Sequence, residues 1–215
     1  NLICPECIDS LSPVRQPVCM RCGKEVTGSR TEYCPDCMRH PRSFDGGAAL
    51  FHYNEAARRS MAAVKYKNRR ECLDFYSQAM VSRYGKWLSH IRPDALVPVP
   101  VHPARRRKRG FNQAEELAER ISLLTGIPVR ADLLIRIRKT LPQKELNPAE
   151  RLNNLRLAFA VSDFYKIHPD QLPERVVLAD DIYTTGSTME ACTRVLKEAG
   201  VKQVYVMSVC IGKGR

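Results

Sequence analysis

Val176-Val177-Leu178-Ala179-Asp180-Asp181-Ile182-Tyr183-Thr184-Thr185-Gly186-Ser187-Thr188-Met189 decides the reading of the fold. Val176, Val177, Leu178 and Ala179 predict a parallel strand buried on both faces. Asp180 and Asp181 then stand at its carboxyl end, where open α/β sheets bind ligands. Thr184, Thr185, Gly186, Ser187 and Thr188 form a hydroxyl-rich turn into a helix expected from about Thr188 to Ala199. Free N–H groups at a helix start, joined by those hydroxyls, satisfy phosphate oxygens. Two carboxylates beside such a cradle suit a sugar phosphate, because they accept hydrogen bonds from vicinal ribose hydroxyls or orient Mg²⁺ through water. No lysine follows Gly186, so this is not a Walker A loop, and the stretch lacks the G-x-G-x-x-G of dinucleotide sites.

The flanking sequence extends the pattern. Strands are expected at Ala48–Tyr53, Ala95–Val101, Leu133–Ile137, Phe159–Val161, Arg175–Ala179 and Val204–Val209. Helices are expected over about 55–67, capped by Asn54, over 71–90, from Asn112 to about Leu124, and in a short turn opened by Asn147-Pro148. Asn112 followed by Glu115 has the form of a capping box. Alternating strands and helices predict an α/β fold, a parallel sheet with helices on both faces.

The first 43 residues read differently. Six of the nine cysteines form three C-x-x-C pairs: Cys4/Cys7, Cys19/Cys22 and Cys34/Cys37. Two such pairs supply four thiolates to one tetrahedral Zn²⁺. Cys19 and Cys22 open a zinc ribbon that Cys34 and Cys37 close, with a hairpin turning at Gly28-Ser29 between them. Cys4 and Cys7 then belong to a second, upstream ribbon; pairing Cys4/Cys7 with Cys19/Cys22 is the open alternative. The segment has too few large apolar residues for a core of its own, so the metal's role is structural. Cys72, Cys192 and Cys210 fall in helix or strand patterns and are expected as buried thiols. Pro41-Arg42-Ser43 marks a linker, which divides the chain into a ribbon over 1–43 and an α/β domain over 44–215.

After the strand at 95–101, His102-Pro103 leads into Arg105, Arg106, Arg107, Lys108 and Arg109, five consecutive basic residues expected in a loop. In a parallel sheet that loop lies at the same edge as Asp180 and Asp181. The formal charge of +12 fits phosphate-rich partners. Nine cysteines with no visible secretory signal favour metal binding over disulfides and a cytoplasmic setting. Hydrophobic runs fall short of a membrane span. A first residue of Asn1 rather than Met suggests that the N-terminus of the protein lies upstream.

The 176–189 stretch resembles the phosphoribosyl-pyrophosphate (PRPP) signature of type I phosphoribosyltransferases. The sequence as a whole resembles the ComF family of competence-associated proteins. That likeness rests on V-P-V-P-x-H-P with its basic run, Arg109-Gly110-Phe111-Asn112-Gln113, Lys65-Tyr66-Lys67, Pro142-Gln143, Ala149-Glu150-Arg151 with Asn154, Ala158-Phe159-Ala160-Val161 and the cysteine pairs. The resemblance implies that Asp180, Asp181 and Thr184 to Thr188 bind PRPP with Mg²⁺, that the segment from His102 to Arg109 grips pyrophosphate, and that 138–151 is a hood loop contacting ligand through Arg138, Lys139, Thr140, Gln143 and Lys144. The corresponding reaction is displacement at the anomeric carbon, with turnover and acceptor open. It also implies a role in natural transformation, handling single-stranded DNA beside a DNA-uptake helicase or channel. Arg105 to Arg109 with Lys65, Lys67, Arg69 and Arg70 form a candidate DNA path, and Tyr66, Phe111 and Tyr183 candidate stacking groups.

Overall fold

The computed structural model describes residues 5–28, 30–138 and 156–212. At its centre lie four parallel strands: β1 (Gly46–His52), β2 (Ala95–Pro98), β5 (Arg175–Tyr183) and β6 (Gln203–Ile211), in the spatial order β1-β6-β5-β2. A separate antiparallel pair joins β3 (Leu134–Arg136) to β4 (Phe159–Val161). The helices are α1 (Pro5–Ser10), α2 (Pro35–Arg39), α3 (Glu55–Lys67), α4 (Cys72–Ile91), α5 (Pro103–Arg109), α6 (Gln113–Thr125), α7 (Asp163–Ile167) and α8 (Ser187–Glu198). No helix among the described residues is long and apolar enough to cross a membrane.

Strand alternation sorts the core into two layers. Val177 and Ala179 of β5 face a cluster with Met61 of α3, Tyr76 and Met80 of α4, and Leu117 and Ile121 of α6. Val176 and Leu178 face the opposite cluster, with Leu196 of α8 and the buried cysteines of the ribbon. Each large aliphatic side chain buried this way is worth roughly 1.5–3 kcal/mol. The ribbon and the sheet therefore share one apolar layer.

The contact between them is made by bare backbone. A Cβ on Gly47 would lie 2.8 Å from the Arg21 carbonyl oxygen, and one on Gly23 would lie 2.8 Å from the Gly47 carbonyl oxygen. Gly23 also holds φ at +74°, which side chains resist. The ribbon runs along the outer edge of β1 as well: Val14 N–H donates to Leu50 O (3.0 Å), and His52 N–H donates to Ser12 O (2.7 Å). At the opposite edge, Leu96 N–H donates to Pro128 O and Arg130 N–H to Leu96 O, so residues 128–130 flank β2.

Most expected elements form within a residue or two of their predicted bounds, and four expectations differ, the first being that β2 ends at Pro98 rather than Val101. The central strand runs to Tyr183 rather than Ala179, because Asp180, Ile182 and Tyr183 stay in register with Ser208, Cys210 and Ile211 of β6. The basic segment expected as a loop is helix α5, started by the His102 side chain and ended by Gly110 at φ +83°. The capping box is half formed: Asn112 Oδ1 accepts from Ala114 N–H (3.2 Å), but the Glu115 carboxylate pairs with Arg106. The expected helix at Asn147-Pro148, and the hood residues Lys139, Thr140, Gln143 and Lys144, lie outside the described residues.

Candidate anion-binding site and metal centre

The register of β2 and β5 pairs Pro98 with Ala179, so both strands end at one edge of the sheet. The hydroxyl turn follows the end of β5 and α5 follows the end of β2, so both meet at that edge, with the acid pair inside the last residues of β5. Gly186 closes the turn at φ +76°, and a Cβ there would overlap the Tyr183 ring. Glycine is thus required twice over, by conformation and by space. Gly186 is also the N-cap of α8, and no side chain caps that helix. Its first N–H groups are left to face the turn, beside Thr185 Oγ1 and Ser187 Oγ, which share a hydrogen bond of 2.9 Å.

Because β5 continues through the acid pair, successive side chains point to opposite faces. Asp181, 3% exposed, is turned inward. Its carboxylate forms an ion pair with Lys65 Nζ and accepts from Gln113 Nε2 at 3.1 Å. Asp180 is half-buried and accepts from the Asp181 backbone N–H at 2.8 Å. Burial, and then the neighbouring Asp181 charge, push the Asp180 carboxyl well above the usual range. The Asp180 charge in turn helps raise the buried Cys192 thiol of α8, after burial itself. Arg136 of β3 lies in the same field: burial first, then Arg105, lower its guanidinium, while Asp180 opposes the shift. Its guanidinium lies 5.3 Å from the centre of the Phe159 ring.

The basic run divides by function. Arg106 pairs with Glu115 (2.9 Å), and Arg109 reaches Gln113 (3.1 Å) and lies over the Tyr66 ring (5.1 Å). Arg105, Arg107 and Lys108 are exposed. His102 Nδ1 accepts from Ala104 N–H at 3.1 Å and so acts as a helix cap. The candidate DNA-path residues differ in their surroundings. Lys65 turns inward to Asp181, Arg69 pairs with Glu71, and Arg70 pairs with Glu116. Phe111 and Tyr183 are core residues, whereas Tyr66 is 71% exposed.

In the ribbon, the sulfurs of Cys19, Cys22, Cys34 and Cys37 all lie within 4.8 Å of one another. Cys22 Sγ and Cys34 Sγ are 3.6 Å apart. A tetrahedral Zn²⁺ with bonds of about 2.3 Å sets its sulfurs roughly 3.8 Å apart, so the donor set fits that ion. Crowded thiols cannot titrate independently. Hydrogen bonds from Cys22, Cys34 and Cys37 pull Cys19 far below its ordinary value, and the bond with Cys19 pushes Cys22 far above it. The pairing of the second and third C-x-x-C motifs thus holds. Cys4 and the Cys7 side chain lie outside the description.

Two contacts from the linker were not visible in the sequence. Arg42 Nη2 donates to Thr185 O at 2.7 Å. Ser43 N–H and Oγ donate to the buried Glu190 carboxylate at 2.8 and 2.7 Å. Glu190 sits four residues before Arg194 and pairs with it, so its sequence signature is that of an ordinary surface pair.

Sheet, anion turn and four-thiolate cluster together define a phosphoribosyltransferase-type domain with a zinc ribbon on one face. The family described as phosphoribosyl transferase domain matches residues 106–215, and the double zinc ribbon domain matches residues 1–38. Competence protein F of Haemophilus influenzae is 27% identical, over 96% of this chain and 95% of its own length. Competence protein ComFC of Streptococcus pneumoniae is 28% identical, over 97% of this chain and 87% of its own. DNA utilization protein YhgH of Escherichia coli is 26% identical, over 90% and 83%. The chain belongs to the ComF/ComFC family of competence proteins, with its N-terminal double zinc ribbon and phosphoribosyltransferase domain.

Proposed function

We propose that this protein binds PRPP, or a related sugar phosphate, with Mg²⁺ at the turn between β5 and α8, and that it handles single-stranded DNA during uptake or use of foreign DNA. The observation that carries the ligand reading is the uncapped start of α8 behind Gly186, lined by Thr184, Thr185, Ser187 and Thr188. A 5′-phosphate takes those N–H groups and hydroxyls. Asp180 accepts from a ribose hydroxyl and, through water, orients the Mg²⁺ that rides on pyrophosphate. Its raised protonation range fits that assignment, because an added cation favours the ionised form. Asp181 acts indirectly, tying β5 to α3 and α6 through Lys65 and Gln113. Arg105, Arg107 and Lys108 offer charge to the pyrophosphate.

The DNA reading draws on the names of the relatives, competence proteins and DNA utilization proteins. It also draws on Tyr66, exposed beside the basic helix α5. A base stacks on Tyr66 while Lys67, Arg107 and Lys108 follow the backbone. A helicase or channel of the uptake machinery is the protein partner consistent with this role.

Titration calorimetry with PRPP and Mg²⁺ tests the first half. Asp180→Asn and Thr185→Ala should each weaken binding tenfold or more, by roughly the worth of one charge-assisted hydrogen bond. Absence of heat with the unmodified chain refutes it. Fluorescence anisotropy with a labelled oligonucleotide tests the second half, and unchanged affinity after Tyr66→Ala combined with Arg107→Ala would rule out this path. Pyrophosphate release with a panel of acceptors measures turnover.

A further inference from the structure

The linker between ribbon and sheet reaches the turn after β5 with a cation, the guanidinium of Arg42. Arg42 donates from Nη2 to the Thr185 carbonyl at 2.7 Å, while the Thr185 hydroxyl shares a separate hydrogen bond with Ser187 Oγ. Its neighbours fix it. Ser43 is held twice by Glu190 of α8. The Phe44 ring packs edge-on against Tyr183, centroids 6.4 Å apart, and the Phe44 carbonyl accepts from Arg21 Nη1 at 2.5 Å. Arg21 lies between Cys19 and Cys22, within the metal knuckle itself. Three consecutive linker residues thus grip the turn's entry at Tyr183, its middle at Thr185 and the first helical turn at Glu190.

We infer that Arg42 is a positioning residue of the phosphate cradle, and that the zinc knuckle sets the cradle's shape through Arg21 and the linker. The inference rests on the sugar-phosphate reading above. The physics is directional. A trans peptide plane has its C=O and N–H on opposite sides, so holding the Thr185 carbonyl on Arg42 turns the Gly186 N–H away from the linker, toward the space assigned to the phosphate. The guanidinium also places positive charge beside the turn. Without Arg42 the Thr185 peptide is free to rotate, and the ligand must supply the ordering.

The experiment uses the full, zinc-loaded chain and two probes, ribose 5-phosphate and Mg-pyrophosphate, in titration calorimetry. Arg42→Met should weaken ribose 5-phosphate roughly tenfold, in line with one hydrogen bond to a charged group, and leave pyrophosphate within about twofold, because that anion is met by α5 on the other loop. Arg42→Lys, which keeps a charged donor, should recover most of the loss, whereas a residue acting only as packing would be served equally by Met. Zinc content and thermal midpoint identify any variant that fails to fold. Arg42→Lys and Arg21→Ala provide further readouts in that case. Arg21→Ala should weaken ribose 5-phosphate in the presence of Arg42 and add little on top of Arg42→Met, since the two act in series. Equal ribose 5-phosphate affinity in Arg42→Met and unmodified protein overturns the inference while leaving the ligand site standing. Strict additivity of the Arg21 and Arg42 effects overturns the link to the knuckle. An unmodified chain that binds no ribose 5-phosphate overturns both the site and the role given to Arg42.

Discussion

Replacing Lys65 by methionine tests the buried centre of the site and separates two uses of one lysine. Asp181 is 3% exposed and the Lys65 side chain 17% exposed, so this ion pair is shielded from solvent. Removing one partner of a buried pair strands the other charge, at a cost of about 3–5 kcal/mol. Gln113 still donates one hydrogen bond to Asp181, and Lys65 is not wholly buried, so the expected loss lies at the lower end, about 3 kcal/mol. Asp181→Asn added to Lys65→Met removes the stranded charge and should return about 2 kcal/mol, a coupling typical of directly bonded residues. Urea unfolding of the two single variants and the double variant measures each quantity. Single-stranded DNA affinity should be unchanged in Lys65→Met, because the ammonium faces inward. A loss under 1 kcal/mol, or additive single and double variants, would refute the claim that this pair ties β5 to α3. A large drop in DNA affinity would return Lys65 to the DNA path.

Other expectations follow from the same geometry. Gly186→Ala must adopt φ near +76° and overlap Tyr183, so it should cost at least about 1–2 kcal/mol from conformation alone and abolish sugar-phosphate binding, read by thermal unfolding and calorimetry. Asp180 has a raised folded pKa, so its carboxyl favours the folded state at low pH and loses that contribution as pH rises through the raised value. Asp180→Asn should therefore stabilise the ligand-free protein at neutral pH, and Mg-PRPP affinity of the unmodified chain should climb with pH over that window. Chelation of zinc, followed by a colorimetric metal assay and circular dichroism, should remove a contribution on the order of 10 kcal/mol from the ribbon and loosen the layer it shares with the sheet. Arg107→Ala should reduce the salt slope of single-stranded DNA binding by about 0.7 if it meets one phosphate, measured by anisotropy across a salt series.

The architecture was legible where one local signal sufficed. Val176 to Ala179 declared the central strand, Asn54 and Asn112 declared helix starts, and C-x-x-C spacing marked the candidate metal ligands, whose pairing the clustered sulfurs then decide. The end of β5 was not legible, because two adjacent aspartates read as the close of a strand unless a neighbouring strand continues beside them, as Ser208 to Ile211 of β6 do. The basic run reads as a loop in sequence because histidine is not a usual helix cap, yet His102 Nδ1 accepts from Ala104 N–H and starts α5. The inward turn of Lys65 and Asp181 depends on the meeting of α3, α6 and β5, with Asp181 68 residues along the chain from Gln113, and no periodicity reports such a meeting. Arg42 was invisible for the same reason: its partner Thr185 lies 143 positions away.

Residues 12–14 lie along β1 where another chain could otherwise add a strand. A fragment starting at Phe44 would bare that row of amides and carbonyls together with the apolar face beneath the knuckle, and open sheet margins of this kind recruit copies of themselves. Such a fragment is expected to precipitate or form higher-order species in light scattering. The cysteine-rich segment thus doubles as a solubility guard, and oxidation of its four clustered thiols is expected to open a route to aggregation.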